Sequence, residues 1–176
     1  MNLELLQRIE KSSAHRKSRE DNAQYILNNH EQFSELIKFA FNTSNKNHYK
    51  SCWILELILE ERLHLIVPFL DTFSNEISKY TNESALRSIS KICMFLAKHM
   101  VLTKDQEQKI IESCFDWLIL ENVKVATKAY SIRALFELGK KNEWIYLELK
   151  RIISEDYTKY SAAYKAVARE ILKKLE

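Results

Sequence analysis

Few side chains in this sequence are of types and at spacings that could do chemistry. Glu61 and His64, in Glu-Arg-Leu-His, have the i, i+3 spacing with which helical bundles hold a di-iron centre. Such a centre needs a second pair and two further glutamates, and neither His15, His30, His48 nor His99 has a carboxylate three residues before it. Cys52, Cys93 and Cys114 lie in apolar runs with no short spacing between them, the pattern of reduced, buried thiols rather than of a disulfide framework. Asp116-Trp117 sets an acid beside an aromatic ring that could stack on a base, and it fits equally a surface aspartate followed by a core tryptophan. One glycine in 176 residues leaves no room for a P-loop, a dinucleotide fingerprint or a nucleophile elbow, all of which bring backbone amides close to phosphate or oxyanion. No catalytic residue, metal site or cofactor is therefore expected.

Basic residues give a more regular signal. Arg87 and Lys91, Lys124 and Lys128, and Lys165 and Arg169 are each spaced i, i+4, so each pair occupies one side of a helix. Residues 121–176 carry 12 basic and 8 acidic side chains, a net charge of +4, against 7 and 10 over residues 51–120. A row of such pairs suits an acidic peptide, a phosphate or a nucleic-acid backbone, and it also fits an ordinary solvated face.

The elements that must carry these residues are helices. One Gly and one Pro are far below the usual ~7% and ~5% and argue against tight-turned sheets. Asn122–Gly139 is the clearest helix. Val125, Ala129, Ile132 and Phe136 form one stripe, with Leu135 beside it. Ala134 and Leu138 open a second apolar side, and Lys124, Thr127, Lys128 and Ser131 form a polar strip between. Asn122 is expected to cap its start and Gly139 to close it in a left-handed conformation. Elsewhere, residues 2–11 read as a short helix, and Ser18 as the cap of a second one running through Leu27. Hairpins are then expected at 30–41 with 46–60, 63–79 with 84–99, 104–119 with 123–139, and 143–154 with 159–175. Pro68 would mark a first turn or a kink. Thr81 or Asn82 caps the helix from Ser84, Thr103 and Gln106 fit a capping box, Asn142 caps the next helix, and Ser154–Lys159 turns into the last.

Leu59, Leu96 and Leu138 hold the same place near the end of three second helices, and Ala129-Tyr130 recurs as Ala163-Tyr164. Two-helix periods of about 34–47 residues are the mark of an α-solenoid. Thr127–Gly139 (TKAYSIRALFELG) resembles the second helix of a HEAT or armadillo-type repeat. Thr127 stands at the β-branched position, Lys128 at the basic one, and Ala134, Leu135, Leu138 and Gly139 at the end. Ala85–Lys98 is similar but lacks the Ala-Leu and the Gly. The resemblance implies an all-α α-α superhelix of about four hairpins, one domain over 1–176, with capping helices in 1–29 and repeats in 30–176. It implies second helices lining a concave face, on which Arg87, Lys91, Lys124, Lys128, Lys165 and Arg169 would form a ladder. The expected function is non-enzymatic binding or scaffolding of a protein or acidic partner. A nucleic-acid-binding protein of HEAT type, glycosylase-like through Asp116-Trp117, is the alternative. The texture WILE, ESALR, FDWLI is also similar to short bacterial repeat proteins that bear an adenylosuccinate lyase name. That superfamily's Ser-Ser-x-Met-Pro-x-Lys-x-Asn loop has no counterpart here, so its activity is not carried over. The charged N-terminus has no apolar leader and no run is long enough to span a bilayer, so a cytoplasmic protein without membrane contact is expected.

Overall fold

The computed structural model describes residues 3–157 and 159–176, and among these the chain is helical without a strand. The α-helices are α1 (Leu3–Lys11), α2 (Arg16–Asn28), α3 (Phe33–Phe41), α4 (His48–Glu61), α5 (Leu70–Glu76), α6 (Glu83–His99), α7 (Lys104–Ile119), α8 (Val125–Gly139), α9 (Trp144–Asp156) and α10 (Ala162–Lys174). Contacts divide the chain into two compact units, Met1–Ile89 and Ser90–Glu176. The expected helix start at Asn2, and Thr158 in the expected turn before α10, lie outside the described residues.

In the first unit α4 is the central helix, flanked by α2 and α3. Its Cys52, Ile54, Leu55, Ile58 and Leu59 are at most 1% exposed, and Ile26, Leu36, Ile66, Phe73 and Ile77 are buried in the same unit. The expected single helix over 63–79 is broken into three pieces, a 3-10 segment Leu63–Phe69, α5, and a 3-10 turn Ile77–Lys79. Pro68 lies inside the 3-10 segment, where its missing N–H removes a helical hydrogen bond. Ser18 is not a cap. α2 begins two residues earlier, at Arg16, and the Ser18 hydroxyl accepts from the Ser13 amide at 3.1 Å. Asn82 is the cap before α6, with its Oδ1 accepting from the Ser84 and Ala85 amides at 3.0 and 3.1 Å.

In the second unit α8 packs against α7, α9 and α10. The Thr103–Gln106 capping box opens α7. Two expectations for α8 are corrected. Asn122 lies before the helix, and Lys124 takes the N-cap position. Asn142 likewise leaves its side chain unused as a cap for α9 and turns it back to the Leu138 carbonyl at 3.4 Å. Gly139 has no positive φ; it is a buried helical residue packed against the Tyr146 ring. A Cβ there would penetrate Cε1 and Cδ1 of that ring and come within 3.0 Å of Cζ. The ring is itself stacked on Phe136, centroids 5.6 Å apart. Gly139→Ala should gain helix propensity of up to about 1 kcal/mol yet displace Tyr146, for a net loss of about 1 kcal/mol in urea unfolding. In a Tyr146→Ala background the same substitution should stabilise.

The larger correction concerns the polar strip of α8. Thr127, Lys128 and Ser131 are 0% exposed, whereas Val125, Ala129 and Phe136 are half-buried. With neighbours on three sides, the helix turns its strip inward. Leu59, Leu96 and Leu138, the three leucines expected at equivalent places, are all buried.

Candidate binding groove

The residues singled out for chemistry are divided between the two units. Glu61 ends α4 and His64 sits in the following 3-10 segment, both exposed. Cys52 donates to the Ala40 carbonyl at 3.7 Å, and burial pushes its thiol up to about 12. Cys93 of α6 and Cys114 of α7 are fully buried neighbours in the second unit. Burial, and then the adjacent Cys114 thiol, pushes Cys93 well above its usual range. Cys52 and Cys93 are therefore neutral thiols at physiological pH. Trp117 is 3% exposed in the core, and Asp116 faces solvent on α7.

The six cations of the three pairs do not share one environment. Arg87 donates to the buried Glu56 carboxylate at 2.8 Å, and Lys91 lies 5.3 Å from the Phe95 ring centroid. Lys128 is internal. Its Nζ donates to the carbonyls of Leu118 and Leu120, each at 2.5 Å, and sits 4.6 Å from the Tyr160 ring centroid. The ammonium thus satisfies carbonyls at the end of α7, where the helix itself supplies no donor and the dipole favours positive charge. Lys124 is exposed, Lys165 is half-buried, and Arg169 donates to the Tyr157 hydroxyl at 3.0 Å.

Other residues of the second helices converge instead. Phe95, Lys98 and His99 of α6, Tyr130, Arg133, Phe136 and Glu137 of α8, and Glu170 and Lys174 of α10 line a groove of about 490 Å³ in the second unit. Each set recurs at i, i+3 or i+4, so each helix offers one face. Arg133 forks onto Glu170 from one helix to the next, with Nη2 to Oε2 at 2.7 Å and Nη1 to Oε1 at 3.2 Å. Lys174 reaches the same carboxylate at 2.8 Å and lies 5.5 Å from the Phe136 centroid. Arg133 and Glu170 are 37 residues apart, one repeat interval, which is why they come side by side. That spacing of opposite charges was available in the sequence. Like charges at i, i+4 along one helix do not reveal it.

Hydrogen bonds from Lys174 and then Arg133 hold the Glu170 carboxyl below its usual range. A lowered carboxyl contributes stability that is present above its unfolded pKa and lost as pH falls through its folded one. The difference in melting temperature between wild type and Glu170→Gln should therefore be complete at neutral pH. It should close only below the ordinary carboxylate range.

Helical hairpins repeated along the chain, with charged and aromatic groups presented from successive second helices, define an all-α helical-repeat protein. The family model for the HEAT repeat domain matches residues 2–175, and the chain belongs to that family. No curated protein and no solved structure matches it. Among the described residues, no helix is long and apolar enough to cross a membrane.

Proposed function

We propose that this protein is a binding module whose α6–α8–α10 groove takes a segment of a partner protein carrying acidic residues around an aromatic anchor. The observation that carries the reading is the composition of that groove. Phe95, Tyr130 and Phe136 supply flat apolar walls, and Lys98, Arg133 and Lys174 supply three positive charges against Glu137 and Glu170. Glu137 is already joined to Lys140 at 2.6 Å, and Glu170 is shared by two cations, so positive charge is left for an incoming carboxylate. A groove of this volume accommodates a few side chains, and aromatic and arginine residues are those that dominate protein interfaces.

A fluorescein-labelled nonapeptide of Asp and Glu with a central Trp is the probe. Its anisotropy should report binding that weakens at least tenfold in Lys98→Glu/Lys174→Glu, and weakens again when the Trp becomes Ala. Equal binding by the double variant would remove the groove from the reading. Binding of a duplex DNA oligonucleotide that displaces the peptide and falls steeply with salt would favour a nucleic-acid partner instead.

A further inference from the structure

We propose that the second unit carries another docking surface, on α7 and α9, that accepts a basic amphipathic segment of a partner protein. It is built from the first helices of the two hairpins and does not depend on the groove. Phe115 of α7 and Trp144 of α9 stack with centroids 5.9 Å apart and an interplanar angle of 27°, which places the two helix faces edge to edge. Around this pair apolar side chains stand in solvent, with Trp144 51% exposed, Ile119 60% and Leu147 76%. Ile119 follows Phe115 by four residues and Leu147 follows Trp144 by three, so both extend the ring pair along its own helices. A clustered apolar patch of this kind marks an interaction site, and an exposed tryptophan is the usual anchor of one.

Charge selects the occupant. α7 carries four acidic and two basic residues and α9 three and two, a net charge of −3. Glu143, immediately before Trp144, adds one more negative charge. Lys109 pairs with Asp105 and Arg151 with Glu148 and Glu155, while Lys141 and Lys159 from outside the two helices hold Glu107 and Asp156. Lys104 and Lys150 are outnumbered by the exposed carboxylates of Glu112, Asp116 and Glu143. The chain as a whole is +3, so the charge of these two helices runs against that of the chain. A helix with an apolar stripe bordered by Lys and Arg matches both features. With the groove taking acidic segments, the protein would bridge two partners of opposite charge.

The test uses a fluorescein-labelled 18-residue helical peptide of Leu and Lys, a second with Glu at every Lys, and the full-length chain. The Lys peptide should bind at least tenfold more tightly than the Glu peptide. Asp116→Lys/Glu143→Lys should lower its affinity at least tenfold with an unchanged circular dichroism spectrum. Lys98→Glu/Lys174→Glu, which tests the groove, should leave it intact. Equal affinity for the two peptides, or affinity unmoved by Asp116→Lys/Glu143→Lys, would overturn the proposal. A concentration-dependent dimer that disappears in Leu147→Ser would also overturn it, since it would assign the patch to a second copy of the chain.

Discussion

Lys128→Glu should lower the stability of the protein by about 4 kcal/mol or more. The side chain is fully buried, and its ammonium donates to two carbonyl oxygens while lying over the Tyr160 ring. A carboxylate in its place would face the oxygens of Leu118 and Leu120 and the negative face of an aromatic ring from a fully buried position. Lys128→Met separates charge from bonding. It abandons both carbonyls but sheds the cost of burying an ammonium, so its loss should be about 1–3 kcal/mol. Urea unfolding followed by circular dichroism measures both, and a glutamate variant as stable as wild type would show that Lys128 is not where the structure places it. This bears on any search for a binding surface. A variant in which Lys124, Lys128, Lys165 and Arg169 all become glutamate would lose partners by unfolding, so Lys128 must be left out of it.

The second large effect belongs to the first unit. Glu56 is 1% exposed and its Oε2 accepts from Arg87 Nη1 at 2.8 Å and from Ser88 Oγ at 2.6 Å. Arg87→Met removes a neutralising cation from a buried carboxylate, which should cost about 3 kcal/mol. The Ser88 hydroxyl solvates the carboxylate but does not neutralise it. Glu56→Gln in the same background removes the buried charge and should recover part of the loss. An Arg87→Met variant within 0.5 kcal/mol of wild type, about the size of an ordinary surface substitution, would contradict this placement. Through this ion pair Arg87 ties α6 to the buried carboxylate of α4.

Short-range sequence pattern carries helix positions but not which helix faces meet. Helix positions were legible because caps and apolar periods are local. Thr103 and Gln106 cap α7, Asn82 caps α6, and Leu59, Leu96 and Leu138 are buried near the ends of α4, α6 and α8. The HEAT resemblance of Thr127–Gly139 was legible for the same reason, and the family holds. Gly139 was misread because a glycine at a helix end usually signals a left-handed cap, whereas here the missing Cβ admits the Tyr146 ring. Lys128 was misread because a lysine in a polar strip is ordinarily solvated. Only the third neighbour of α8, and the reach of a four-carbon stem to the end of α7, take it inside. The groove was missed on different grounds. Arg133, Glu170 and Lys174 belong together across successive repeats, and a search along single helices does not see pairs one repeat apart. Tyr130 and Tyr164 make the same point from the other side. They follow alanine alike in the sequence, yet Tyr130 lines the groove and Tyr164 is 0% exposed.

The most direct test of the central claim is a titration of the ¹⁵N-labelled protein with the acidic, Trp-centred nonapeptide. The account predicts amide shifts concentrated at Phe95, Lys98, Tyr130, Arg133, Phe136 and Lys174, saturating with one dissociation constant and weakening as salt is raised. Shifts centred on any other surface, or none at millimolar peptide, would contradict it.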